Sequence, residues 1–184
     1  MTLIFPLVFS FIVSVTLTPV TIILARRFGL VDDPKVHKHP AILHKKIIPR
    51  AGGLPIYLAV FATSLLVLGP SQKLLGILLG GLILVVIGLI DDRADLKSST
   101  KLIAQILAAV VVVMSGVGIS FVTNPLSAIV FQDFGWGGVI RLDWLRFDYY
   151  LFEPRSILVF ADLFALFWIV WVINMVNFST GVDG

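Results

Sequence analysis

Cysteine is absent from the 184 residues. That excludes a disulfide framework, a zinc–thiolate centre and a thiol nucleophile. Charge is scarce: Asp, Glu, Lys and Arg make up 14% of the chain, against about 25% in a soluble globular domain. Apolar residues fill the difference. They reach 58% of the chain, and mean hydropathy is +1.03, so the sequence reads as an integral membrane protein. The first residues carry neither a basic leader region nor a small-residue cleavage site, so the first apolar run is expected to stay as a span. No internal repeat and no low-complexity linker is visible. The net charge of +3 is modest, no nucleic-acid partner is expected, and the placement of the charges matters more than their sum.

A bilayer core takes about 20 apolar residues in a helix, with a range of about 17–25. Five runs qualify: 3–25, 52–68, 74–90, 102–122 and 157–176. The expected fold class is an all-α membrane protein, a single transmembrane domain of five crossing helices. Pro6 and Pro19 predict a kink in the first run, which membrane helices tolerate. Gly69-Pro70 predicts a tight turn between the second and third.

Loop charges predict the orientation. Segment 26–51 carries Arg26, Arg27, Lys35, Lys38, Lys45, Lys46 and Arg50, and segment 91–101 carries Arg93, Lys97 and Lys101. The connector near Pro70 has only Lys73, and segment 123–156 balances three Arg against three Asp and one Glu. Lys and Arg mark the cytoplasmic side, so loops 26–51 and 91–101 are expected inside, the N-terminus and loop 123–156 outside, and the C-terminus inside. Within the external loop, 128–131 and 139–142 flank Gly135-Trp136-Gly137-Gly138 and predict a short β-hairpin. Trp144, Phe147, Tyr149, Tyr150 and Phe152 suit the headgroup level and are read as an interfacial anchor.

Three polar clusters are thereby gathered on one membrane face. Each has a plain reading and a chemical one. The basic loop holds His37, His39 and His44 with half of the chain's Lys and Arg. Its plain reading is the topogenic charge itself, with attraction to anionic lipid. A histidine metal site is disfavoured, because no pair has the helix spacing of known ligand motifs. Lys45 and Lys46 followed by Pro49-Arg50-Ala51-Gly52-Gly53 suit phosphate, with Lys as point charges, Arg as a fork and glycines that admit close backbone approach.

The second cluster is the most informative. The apolar run 74–90 ends directly on Asp91 and Asp92, and Asp95 follows. Adjacent carboxylates repel, and a helix C-terminus disfavours them further. A hard divalent cation with phosphate ligands is the simplest visitor that relieves both. The plain reading is a solvated helix end paired with Arg93, Lys97 and Lys101. The third cluster runs from Asn174 through Asn177 to Gly181-Val182-Asp183-Gly184. Its plain reading is interhelical hydrogen bonding followed by a helix stop. Asp162, near the outer end of the fifth span, is read as a structural hydrogen-bonding or interfacial residue. Cations, carboxylates and a turn rich in amides are together the parts that phosphoryl transfer requires, since its catalysis is mostly positioning and charge stabilisation.

These residues resemble the polyprenyl-phosphate N-acetylhexosamine-1-phosphate transferases. The resemblance rests on Asp91-Asp92-x-x-Asp95 after a span, Pro49-Arg50-x-Gly52-Gly53 entering another, and Asn174-x-x-Asn177-x-x-x-Gly181-x-Asp183-Gly184. The form Ile48-Pro49-Arg50-Ala51-Gly52-Gly53 is similar to the undecaprenyl-phosphate N-acetylglucosamine branch. The resemblance implies transfer of a sugar 1-phosphate from a UDP-sugar to polyprenyl phosphate with release of UMP, at the start of cell-envelope polysaccharide synthesis. It implies magnesium, or manganese in its place, and residence in the cytoplasmic membrane. It implies that Asp91 and Asp92 are catalytic and, with Asp183, hold the metal; which of the two accepts a proton is left open. Lys45, Lys46, Arg50, Asn177 and Asp183 are implied to bind substrate. Thr180 stands where many members carry Asp. The chain looks like the N-terminal half of a family fold of roughly ten helices, so activity of these residues alone is not expected. A homodimer or a separately encoded C-terminal half would complete the site. Two other classes stay in view: a transporter fragment, disfavoured because the spans are nearly free of ionisable residues, and a non-catalytic membrane scaffold.

Overall fold

The computed structural model describes residues 4–32, 47–123, 138–142, 144–150 and 154–179. It is mostly helical, with five α-helices and three two-stranded antiparallel ladders among the described residues. The chain divides into two compact units, Met1–Ala108 and Ala109–Gly184.

In the first unit, α1 (Ile4–Arg27) runs 24 residues. At 1.5 Å per residue that is about 36 Å, longer than a hydrocarbon core. Hydrocarbon offers no partner for a hydroxyl, so the helix satisfies its own. Thr18 Oγ1 donates to the Ser14 carbonyl at 2.7 Å, Thr21 Oγ1 to Leu17 at 3.0 Å, and Thr16 Oγ1 to Ile12. Arg26 and Arg27 close the last turn, where a helix dipole favours cations. α2 (Gly53–Leu68) packs against α1 and α3 (Gln72–Ala94). Its end is set by Gly69: the Gly69 N–H closes the last turn on the Leu65 carbonyl at 3.1 Å, and a φ of 71° then turns the chain out of the helix. Ser71 then caps α3, its Oγ accepting from the Leu74 N–H at 3.3 Å. The Gly-Pro dipeptide therefore does lie in the link between these helices.

Tyr57 ties α2 to α3. Its hydroxyl donates to the Leu78 carbonyl at 2.9 Å, and its ring covers Gly81, where an added Cβ would lie 3.1 Å from Cε2. Glycine there admits the ring. Gly81→Leu is expected to lower stability in detergent by about 1–3 kcal/mol through overpacking. Thermal melting should show the loss, and it should shrink when Tyr57→Leu removes the ring that the new side chain strikes.

α4 (Ser98–Met114) is 17 residues long. The apolar run predicts a span that continues to 122, but Gly116 takes φ 94° just beyond the helix. Its N–H turns back to the Val113 carbonyl at 2.9 Å, and Phe121–Thr123 forms a strand, β3. α1, α3 and α5 (Val159–Ser179) are long and apolar enough to cross a membrane, while α2 and α4 are shorter apolar helices.

In the second unit, β3 pairs with β4 (Val139–Arg141) in the register Phe121↔Arg141, and Leu142 N–H extends the ladder to the Ser120 carbonyl at 2.8 Å. The hairpin expected from the sequence sets 139–142 opposite 128–131. Residues 139–141 do form a strand, with Phe121–Thr123 as its partner; 128–131 and most of the glycine turn, 135–137, lie outside the described residues. A second ladder, β5 (Arg146–Tyr150) with β6 (Pro154–Leu158), feeds α5 without a linker. Trp144 stacks on Phe160 in the first turn of α5, with centroids 4.9 Å apart. Asp162 serves the same turn: its Oδ2 accepts the Leu158 N–H at 3.0 Å, satisfying one orphan donor of the helix start.

Candidate active site

Helix α3 carries the apolar run to Asp91 and Asp92 in its last turn, and the residue after the helix, Asp95, stops it. Asp95 takes the left-handed conformation (φ 43°, ψ 70°), and its N–H returns to the Asp91 carbonyl at 2.9 Å. Asp is one of the few non-glycine residues that visits this region readily. Reversal here brings the start of α4 back over the helix end. The Leu96 N–H donates to Asp91 Oδ1 at 2.9 Å, and Lys101 Nζ lies 2.7 Å from Asp91 Oδ2. Each of these two charges stands at the unfavourable end of its own helix dipole, and pairing offsets both.

Asp92 is addressed from the other side. The strand pair β1 (Val31–Asp32) and β2 (Ile48–Pro49), registered Val31↔Pro49, is anchored by the Arg50 N–H on the Leu30 carbonyl at 2.9 Å. This anchorage delivers the entry to α2 against the end of α3. The Ala51 N–H donates to Asp92 Oδ2 at 3.0 Å. Arg50 Nη1 lies 3.8 Å from Asp95 Oδ1. The site thus combines Asp91, Asp92, Asp95, Arg50, Ala51 and Lys101 from three separate stretches of sequence. Beside it, Ala51, Gly53, Leu54, Leu84, Val85, Gly88, Leu89 and Asp92 line a cleft of about 220 Å³. Asp92 is its sole ionisable lining residue among those described.

Asp91, Asp92 and Arg50 are therefore brought together. Lys45, Lys46, Asp183 and Thr180, and all three histidines, lie outside the described residues. Asn177 is exposed on α5 in the second unit, and Asn174 Nδ2 donates to the Val170 carbonyl of its own helix at 2.8 Å. No cluster of three or more metal-ligating side chains occurs among the described residues. Two adjacent carboxylates do suit magnesium, which takes one or two carboxylates and fills its remaining positions with phosphate and water. Asp92 Oδ1 accepts no hydrogen bond among the described residues, so it is the oxygen best placed for that use.

Sequence reasoning missed Ala51. It assigned backbone approach to the glycines of Arg50-Ala51-Gly52-Gly53, yet Gly52 has an ordinary φ of −61° and Ala51 makes the contact with φ 76°. The plain reading pairs the carboxylates with Arg93, Lys97 and Lys101; Lys101 does meet Asp91, and Arg50, absent from that reading, stands beside Asp95. A backbone donor leaves no mark on residue type, so no signal for the Ala51 contact was available.

The model of the family described as Glycosyl transferase family 4 matches residues 74–184, and the chain belongs to that family. It is 29% identical, over 97% of its length, to the probable undecaprenyl-phosphate N-acetylglucosaminyl 1-phosphate transferase of Bacillus subtilis. It is 32% identical over 88% of its length to the decaprenyl-phosphate N-acetylglucosaminephosphotransferase of Mycolicibacterium smegmatis. It is 33% identical over 87% of its length to the undecaprenyl-phosphate alpha-N-acetylglucosaminyl 1-phosphate transferase of Escherichia coli. The matched parts amount to 43%, 36% and 36% of those relatives. No solved structure matches the chain. The apolar helices and the family together make it a multi-pass membrane protein.

Proposed function

We propose that these residues form part of a transferase that moves N-acetylglucosamine 1-phosphate from UDP-N-acetylglucosamine to polyprenyl phosphate, releasing UMP. The observation that carries this reading is the held pair Asp91–Asp92 at a helix end, flanked by Lys101 and Arg50 and opening on an apolar cleft. The relatives are named for the same lipid phosphate and sugar, which supports the choice of substrates.

In the reaction, an oxygen of the lipid phosphate bonds to the sugar-bearing phosphorus. The bond from that phosphorus to the bridging oxygen breaks, and UMP departs with the electron pair. A phosphate monoester has its second pKa near 6, so the nucleophile is largely deprotonated at neutral pH. Asp91 and Asp92 then act less as strong bases than as fixed charges that orient the reacting phosphates. Magnesium held by Asp91, Asp92 and Asp183 would neutralise phosphate charge and improve UMP as a leaving group. Lys45, Lys46 and Arg50 draw phosphates to the site, and Asn177 and Asp183 contribute to the nucleotide pocket. The cleft beside Asp92 takes the phosphate-proximal end of the polyprenyl chain. The direct test is release of UMP by the intact protein, given UDP-N-acetylglucosamine and polyprenyl phosphate, with and without a chelator. No release with magnesium present would reject the reading.

The reaction face lies in the cytoplasm in this proposal. Single cysteines at positions 37, 93 and 183 of this cysteine-free chain are expected to resist a membrane-impermeant maleimide in intact cells. A cysteine at position 136 is expected to react. Labelling of position 93 from outside would overturn the orientation.

A further inference from the structure

Two non-glycine residues among those described have a left-handed backbone, Ala51 at φ 76° and Asp95 at φ 43°. Both stand at the carboxylate pair. Ala51 presents its own N–H to Asp92 Oδ2 at 3.0 Å. The peptide that follows Asp95 presents the Leu96 N–H to Asp91 Oδ1 at 2.9 Å. Arg50, immediately before Ala51, reaches toward Asp95, 3.8 Å from Nη1 to Oδ1, and so spans the two turns.

An alanine in this region is strained, because its Cβ crowds the following carbonyl. Such strain persists where surroundings over-determine it, and it gathers at functional sites. Ala51 is 6% exposed, so its N–H has little water to turn to, and losing Asp92 would orphan it. Gly52 sits next to it in an ordinary right-handed conformation. The conformational freedom of glycine is thus not what makes this turn.

We infer that Ala51 and Asp95 are positioning residues. Their left-handed turns aim one main-chain N–H at each carboxylate and fix the orientation of Asp91 and Asp92 against their mutual repulsion. A donor already in place costs no reorganisation when charge moves. The inference rests on the reading that these two carboxylates act in the transfer. It also makes the charge of Asp95 secondary to its backbone, so Asp95 is not a third acidic ligand.

The test compares Asp95→Val with Asp95→Asn and Asp95→Gly, and Ala51→Val with Ala51→Gly, in the intact protein. Valine resists a positive φ, whereas glycine and asparagine accept it. The valine variants are expected to lose about tenfold or more in kcat with little change in KM, and glycine or asparagine to recover most of the loss. If Asp95→Asn and Asp95→Gly fall as far as Asp95→Val, the charge is what matters and the inference fails. Valine variants at parental kcat overturn it as well. A second measurement does not depend on turnover or on those variants folding: amide hydrogen exchange at Ala51 in Asp92→Leu and at Leu96 in Asp91→Leu. Each amide is expected to be protected in the parent and to exchange about tenfold faster or more once its acceptor is gone. Unchanged exchange refutes the positioning. Protected parental amides in a protein that releases no UMP refute the proposed reaction and leave the positioning intact.

Discussion

Asp92→Asn is expected to reduce UMP release by the intact protein about 10²-fold or more, and Asp91→Asn by a similar factor. That is the scale of losing one preorganised electrostatic contact to developing charge. The two substitutions differ in what they do to the fold. In Asp92→Asn the side-chain amide oxygen can still accept the Ala51 N–H, and one of two adjacent negative charges at a helix C-terminus disappears. Melting of Asp92→Asn should therefore be unchanged or raised. Asp91→Asn also ends the 2.7 Å ion pair with Lys101, in which the Asp91 and Lys101 side chains are 27% and 38% exposed. At that exposure the pair is worth about 0–1 kcal/mol, so a small loss of stability is expected. Turnover and melting measured side by side separate catalysis from folding. Parental turnover in both variants would sink the catalytic assignment and restore the reading of a paired helix end.

Helices and chemistry were legible in the sequence to different depths. Long apolar runs announce helices because a bilayer leaves a backbone no other partner, and each of the five runs contains one. Their ends were legible where a special residue stops them, as at Gly69. The end of α4 was not, although Ser115-Gly116 and Gly118 stand there, because apolar residues continue beyond them to Val122 and the run reads as one span. Asp91 and Asp92 stood out because charge directly after a long apolar run is conspicuous. Lys101 was legible as a partner of the cluster, and it pairs with Asp91, ten positions back along the chain, across the reversal that the left-handed turn at Asp95 makes. Arg50 and Ala51 were not legible as partners. The Ala51 contact depends on β1 and β2 meeting across a segment of chain, Val31↔Pro49. Hydrophobic pattern carries no record of so short a pairing. In sequence the ladder β5–β6 reads only as an aromatic anchor, since aromatic residues serve a strand and a membrane interface equally well.

Gly88→Phe is expected to cut turnover about 10²-fold while leaving the protein as stable or more so. Gly88 is in the interior of α3, one turn before Asp92 and on the same face, and both line the cleft. An added Cβ at Gly88 meets nothing within 4 Å, so the first carbon of a larger side chain enters open space. Glycine inside a helix costs about 0.5–1 kcal/mol relative to alanine, and phenylalanine recovers part of that. An aromatic ring in a cleft of about 220 Å³ nevertheless removes much of its room. If the cleft takes the phosphate-proximal end of the polyprenyl chain, the ring displaces the lipid phosphate from Asp92. Misplacement by about 1 Å costs roughly 10²-fold. The loss should fall on kcat and on KM for polyprenyl phosphate, with KM for UDP-N-acetylglucosamine little changed, and Gly88→Ala should lie between. A raised melting temperature with parental turnover would mean that the lipid does not pass this face of α3. Lower affinity for the nucleotide sugar alone would place the sugar, and not the lipid, in the cleft.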